Sequence, residues 1–224
     1  SGQTLWLANY SKTLNGTYIW WNGEQTTGFK PNEWNLNILD SNPNRTEGLP
    51  FTDNNSQALF NNGTHIWYQS SHGTTNGWSL MEGNGDNFTS ADILKLTNNE
   101  KPTLILSCLP CLNADLESDI DAFAVKLLEA ETGAFAGVFN TKYGWGNYDD
   151  PMNGTDGLNG SSHYLGSQII DAWMNGTVTR LGDMVFEAKK CEPKWQESKP
   201  DQSIRWATYE QILFGDPAIT LKNV

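Results

Sequence analysis

A potential base and a potential nucleophile stand in two short turns of this chain, Ser71-His72-Gly73 and Cys108-Leu109-Pro110-Cys111. A cysteine attacks only as thiolate, so it needs a nearby imidazole and partial access to solvent. His72 and a cysteine meet the first need if the fold brings the two turns together. Gly73 adds a further part: backbone approaches a substrate most closely where no side chain intervenes, which leaves its N–H facing a developing oxyanion. The bland alternative for a cysteine at a strand end is a small buried apolar residue. That alternative suits Cys108, which lies within an apolar run where a thiol is desolvated and inert, and it favours Cys111 as the nucleophile. A third turn, Asn140-Thr141-Lys142-Tyr143-Gly144-Trp145, ends another apolar run with aromatic residues.

These turns need strands to carry them. Residues 64–69 read as a strand feeding His72, residues 103–108 as a buried strand started by Lys101-Pro102, and residues 134–139 as the strand before Trp145. Between the last two, Ile120, Phe123, Ala124, Leu127 and Leu128 fall at spacings of three and four, which predicts a helix over 120–130 closed by Gly133. Strand, helix, strand at this length is a parallel unit with a right-handed crossover, and such sheets display sites at the carboxyl ends of their strands. A short helix is predicted over 88–96, capped by Thr89 or Ser90, with Ile93, Leu94 and Leu96 turned inward. Further helices are predicted over 164–174, with Leu165, Ile169, Ile170 and Trp173 as the apolar stripe, and over 182–190. Residues 1–64 are rich in Asn, Gly, Thr and Trp, with strand-like pieces at 4–8, 17–21 and 34–39 and a poor helix signal. His65 reads as a structural residue within a strand, and His163 as a solvated residue in a Gly-Ser-rich loop. The fold class expected is α/β: one domain over 1–224, a three-layer α/β/α sandwich with a mostly parallel central sheet, of which residues 1–63 form the least patterned part.

The 224 residues carry a formal net charge of −12, which opposes binding to nucleic acid or an anionic lipid surface, since both need a positive face. No apolar stretch approaches the ~20 residues that cross a bilayer. The chain opens Ser1-Gly2, without methionine or a charged-then-apolar leader, and reads as a processed piece of a longer precursor. Asn-X-Ser/Thr sequons at Asn9, Asn15, Asn44, Asn54, Asn62, Asn87, Asn153, Asn159 and Asn175 point to a secreted or cell-surface glycoprotein. The competing reading is that Asn, Gly and Thr simply make turns here. With Cys191 the cysteines number three, so oxidation leaves one thiol over. The histidines fall in no metal-ligand motif such as H-E-x-x-H, so neither a metal nor another cofactor is expected. The tryptophans lie mostly in strand or helix patterns and read as packing residues.

In their order and spacing these segments resemble the gingipain-type cysteine peptidases of the caspase-like clan, over residues 64–221. The resemblance is carried by His72-Gly73 after an apolar strand, and by a buried strand leading to Cys111-Leu112-Asn113-Ala114-Asp115, close to the family's Cys-X-X-Gly-X pattern. Phe123-Ala124 follows on the next helix, then Gly133-Ala134 leading a strand into Thr141-Lys142-Tyr143-Gly144-Trp145, and the terminal Leu213-Phe214-Gly215-Asp216-Pro217-Ala218. It implies a caspase-like or gingipain-like fold and a peptidase acting on protein or peptide substrates. In that reading Cys111 is the nucleophile, His72 the general base and later acid, and the Gly73 and Cys111 amides are the oxyanion donors. Trp145, with Tyr143, would wall the pocket for the residue preceding the scissile bond. Two positions depart from the pattern: Ala114 stands where glycine is usual, and Pro110 immediately precedes the nucleophile. No acidic third member transfers, because the N-terminal residues match no family pattern; Glu24, Glu82 and Asp86 are candidates by chemistry alone.

Two other readings compete. Cys108-Leu109-Pro110-Cys111 is a C-x-P-C between a strand and a helix, as in thiol-disulfide oxidoreductases, although the prolines after Asp150, Glu192, Lys199 and Asp216 do not suit the cis-proline such folds use. A non-catalytic exported surface or adhesion module on a peptidase fold is the other, because fold alone does not fix function.

Overall fold

The computed structural model describes residues 39–40, 49–64, 66–79, 87–98, 103–145, 161–174, 178–190 and 202–221. In chain order its elements begin with β1 (Leu39–Asp40), β2 (Leu49–Pro50), α1 (Asp53–Gly63), β3 (Ile66–Gln69), β4 (Gly73–Thr74), β5 (Gly77–Ser79) and β6 (Asn87–Thr89). They continue with α2 (Ser90–Ile93), β7 (Thr103–Ser107), α3 (Phe123–Glu129) and β8 (Ala134–Asn140), then α4 (Ser161–Met174), α5 (Leu181–Lys189), α6 (Ser203–Glu210) and β9 (Gln211–Gly215). The central sheet runs in the order β3-β7-β8-β9. Its first three strands are parallel, and β9 pairs antiparallel with β8.

The apolar runs sit at the centre of this sheet because a strand covered on both faces must be apolar at every position. Every residue of β7 is buried. Its alternation divides the core: Leu104, Leu106 and Cys108 face Ile169, Ile170 and Trp173 of α4 and Leu181 and Met184 of α5. Ile105 faces the other way, into a cluster with Phe123 and Leu127 of α3, Phe60 of α1, Trp67, Trp78 and Phe88. Each such fully buried Leu, Ile or Phe contributes about 1.5–3 kcal/mol. The result is the expected layering, with helices on both faces of a mostly parallel sheet. A three-stranded antiparallel sheet, β4-β5-β6, adds to the α3 side.

Several elements depart from the sequence pattern. The helix predicted over 120–130 begins only at Phe123, because its first N–H groups are taken by loop carbonyls: Phe123 N donates to Thr75 O at 2.7 Å and Ala124 N to Asn113 O at 2.9 Å. Ile120 therefore lies in the preceding turn and is 80% exposed. In the segment 88–96, residues 88 and 89 belong to β6 and pair with β5, and the helix is confined to Ser90–Ile93 behind a capping box of Thr89 and Asp92. Leu94, past that short turn, is exposed rather than turned inward. Helix α1 had no apolar stripe to announce it; it buries only Ser56 and Phe60, and its start is the Thr52 cap on the Asn55 N–H at 3.3 Å. The strands expected at 4–8 and 17–21, all of that at 34–39 but its last residue, and His65 and Cys191 lie outside the described residues. Among the described residues no helix is long and apolar enough to cross a membrane.

Candidate active site

Strands β3 and β7 are parallel neighbours, with Gln69 opposite Ser107 in register. The chain leaves β3 through Ser70-Ser71 to His72 and leaves β7 through Cys108-Leu109-Pro110 to Cys111, so both turns emerge at the same end of the sheet. They meet at Gly73. A Cβ built there would fall 2.6 Å from the Pro110 Cβ and 2.8 Å from the Cys111 carbonyl oxygen, so only glycine permits the two segments to touch this closely. His72 is exposed, and Gly73 and Cys111 are partly buried.

The loop carrying Cys111 is held on several sides. Leu112, the next residue, is left-handed at φ 60°, a conformation costing roughly 1–2 kcal/mol for an L-residue with a side chain. It is kept there by ladder-like bonds to the end of β8: Leu112 N donates to Lys142 O at 2.6 Å and Ala114 N to Asn140 O at 3.1 Å. The Asn140 side chain donates to the carbonyls of Cys108 and Pro110, both at 3.0 Å. Gln211, its cross-strand partner on β9, donates to the Cys108 carbonyl at 2.9 Å. Asn113, wholly buried, donates to the carbonyls of Thr74 and Gly77 at 2.7 and 3.1 Å. It accepts from the Trp78 indole at 2.7 Å and the Ser107 hydroxyl at 2.9 Å. On the His72 side, Trp67 donates to Gln69, Gln69 to Ser71, and Ser71 to the His72 carbonyl, each at 2.8 Å.

The third turn closes over the same loop. Gly144 N donates to the Cys111 sulfur at 3.3 Å, and a side chain at Gly144 would run into the Leu109 carbonyl. Trp145 is 36% and Tyr143 60% exposed. Trp145 is fixed at both ends: its backbone N–H donates to the Ser162 hydroxyl at 2.8 Å, the Ser162 N–H returns to its carbonyl at 3.0 Å, and its indole donates to Glu210 at 3.1 Å. Burial pushes the Glu210 carboxyl up despite the indole and the Tyr143 N–H, which favour its ionised form. Lys142 binds the nearly buried Asp115 at 2.9 Å and the exposed Glu117 at 2.8 Å. The Glu117 and Asp115 bonds push the Lys142 ammonium up to about 12.

Cys108 and Cys111 are both free thiols, but their surroundings differ. Cys108 is completely buried, and that burial pushes its thiol up to about 12, against a hydrogen bond with Tyr68 that lowers it. At neutral pH it is a protonated thiol, unsuited to exchange chemistry. The Tyr68 hydroxyl also lies 3.3 Å from His163 Nδ1. His163 is 1% exposed on α4, not solvated in a loop, and burial lowers its pKa to about 4. The Gly-Ser composition around it concealed the first turn of α4, which begins at Ser161.

Sequence reading thus named His72, Gly73, Cys111, Tyr143 and Trp145; the fold brings Gly73 onto the Cys111 loop and bonds the Trp145 turn to the Cys111 sulfur through Gly144. It missed Asn113, Asn140, Gly144, Ser162 and Glu210, which hold these parts. Gly144 lies inside a motif and was within reach of a backbone argument, whereas Asn113, Asn140, Ser162 and Glu210 work through partners in other segments and carried no local signal. Glu24, Glu82 and Asp86 lie outside the described residues.

The sequence profile of peptidase family C25 matches residues 11–222. The chain belongs to this family. The C25 match takes in each of the three turns. The same fold occurs in solved structures. The Arg-specific cysteine proteinase gingipain R superposes with a TM-score of 0.58 at 18% identity, covering 80% of this chain and 39% of that one. A complex of the pro- and mature domains of RgpB from Porphyromonas gingivalis gives 0.59 at 18%, covering 81% and 41%. A structure described only as a protease gives 0.60 at 15%, covering 99% and 44%. The C25 chain described here therefore spans about two fifths of the length of each. No curated protein matches the sequence.

Proposed function

We propose that this domain is a cysteine endopeptidase in which Cys111 is the nucleophile and His72 the base. The Cys111 thiol gives its proton to His72, and the thiolate so formed attacks the scissile carbonyl carbon. The Gly73 and Cys111 amides take the oxyanion. The carbon–nitrogen bond then breaks as His72 returns the proton to the leaving amine, and water cleaves the resulting thioester. Trp145 and Tyr143 wall the pocket for the residue before the cut. The chemistry needs no cofactor. The observation that carries this reading is the close seating of Gly73 on Pro110 and Cys111 beyond the ends of adjacent parallel strands. Family membership adds to it.

The oxidoreductase alternative lacks an accessible partner thiol, since Cys108 is wholly buried. Residues 1–224 act in this proposal as one domain, exported to the cell surface or medium, with proteins or peptides as substrates. The exposed sequon residues Asn54, Asn62 and Asn87 suit an exported glycoprotein.

A positional peptide library tests the activity. Cys111→Ala abolishes cleavage and His72→Ala costs about as much, because members of a dyad act as a unit and their losses do not add. Trp145→Ala changes which residue is preferred before the cut, since a pocket wall acts on discrimination between substrates. Cleavage that survives Cys111→Ala contradicts the assignment, and a protein that labels with no thiol-directed peptidyl electrophile is the non-catalytic module instead.

A further inference from the structure

We infer that Asn113 is the positioning residue of the Cys111–His72 pair: its carboxamide clamps the hairpin that opens with His72-Gly73 onto the loop that carries Cys111. The inference rests on the peptidase reading and deepens it.

His72 and Cys111 belong to different segments, and a dyad functions only if their separation is held; a displacement of about 1 Å can lower a rate roughly a hundredfold. Asn113 lies two residues after Cys111. Both of its N–H donors go to the β4–β5 hairpin, to Thr74 O at 2.7 Å and Gly77 O at 3.1 Å. Thr74 and Gly77 are the register pair that closes this hairpin, and the hairpin starts at Gly73, one residue after His72. Both lone pairs of its oxygen are also used, by the Trp78 indole at 2.7 Å and the Ser107 hydroxyl at 2.9 Å. Ser107 is the last residue of β7. The base-bearing hairpin is thus referenced to the end of the strand that delivers the nucleophile.

The chemistry of the amide is fixed by its neighbours. An indole N–H only donates and backbone carbonyls only accept, so the amide fits one way round and uses two donors and two acceptor sites at once. A carboxylate cannot replace it, because the oxygen in place of the amide nitrogen would face the Thr74 and Gly77 carbonyls. Gly73 is part of the same device: a Cβ there would fall 3.0 Å from the Asn113 nitrogen.

The test is the pH profile of Cys111 alkylation by iodoacetamide, with the modified residue assigned by peptide mapping, together with kcat and KM on a cleaved peptide. Wild type, His72→Ala, Asn113→Asp and Asn113→Ala are compared, and far-UV circular dichroism with urea unfolding reports the fold. In the Ala variant the hairpin contacts are lost while the Trp78 indole keeps the Ser107 hydroxyl, 3.1 Å away in the wild type, as a partner, so this variant serves if the Asp variant does not fold. Both variants are expected to lose the His72-dependent part of the alkylation profile, with kcat falling about tenfold or more and KM changing less than about twofold. Adding His72→Ala to either then changes nothing further. A folded Asn113→Ala protein with the wild-type profile and kcat overturns the clamp while leaving the dyad in place. A wild-type profile identical to that of His72→Ala overturns the dyad, and the clamp with it.

Discussion

Acidification should destabilise this protein through His163, and one substitution should cancel that loss. The imidazole is buried on α4 with Nδ1 3.3 Å from the Tyr68 hydroxyl, and burial depresses its pKa to about 4. In the unfolded chain it titrates near 6.5. The unfolded state therefore binds the proton first, so stability is full above about pH 6.5, falls as the pH drops through the interval, and levels off below about pH 4. Integrating the linkage between those two values gives a loss of about 2 kcal/mol from pH 8 to pH 5, rising to about 3 kcal/mol by pH 4. Carboxylates titrate over part of this range too, so the quantity to measure is a difference. Urea unfolding of wild type and His163→Gln across the series isolates it, the glutamine keeping a polar partner for Tyr68. The wild type should lose about 2 kcal/mol more than the variant between pH 8 and pH 5. Parallel stability curves for the two proteins would refute the buried, neutral histidine. The effect bears on the site, because Ser162, the neighbouring residue, anchors Trp145.

Two further substitutions separate the roles of the motif residues. Cys108→Ala should lower unfolding stability by about 1–2 kcal/mol, through the lost thiol contact with Tyr68, yet leave peptide cleavage within about tenfold, roughly 1.4 kcal/mol of barrier; an inactive but folded variant would shift the nucleophile assignment to Cys108. Gly144→Ala should lower stability by about 1–3 kcal/mol by overpacking and, by displacing the N–H from the Cys111 sulfur, slow iodoacetamide alkylation of Cys111, read by mass spectrometry against the wild type; an unchanged alkylation rate would remove Gly144 from the site.

The apolar run Leu104-Ile105-Leu106 was enough to predict a central strand, because burial on both faces demands apolar side chains at every position whatever surrounds them. The same holds for β8, and for the stripe of Leu165, Ile169, Ile170 and Trp173 that covers one face of the sheet. Motif order was legible as well, since His72, Cys111 and Trp145 each follow a readable strand. Helix ends were less so. Ile120 fits the apolar spacing of α3, but whether a turn joins a helix depends on where its N–H groups go, and here they go to Thr75 and Asn113. Polar residues were the least legible. Nothing local distinguishes Asn113, buried with four hydrogen bonds, from the many asparagines in turns, and His163 in a Ser-rich stretch gave no sign of burial. A polar side chain is useful in the interior only through partners from other segments, so the sequence by itself determined which strands carry the site, and the tertiary structure alone decided which polar groups hold its parts at working distance.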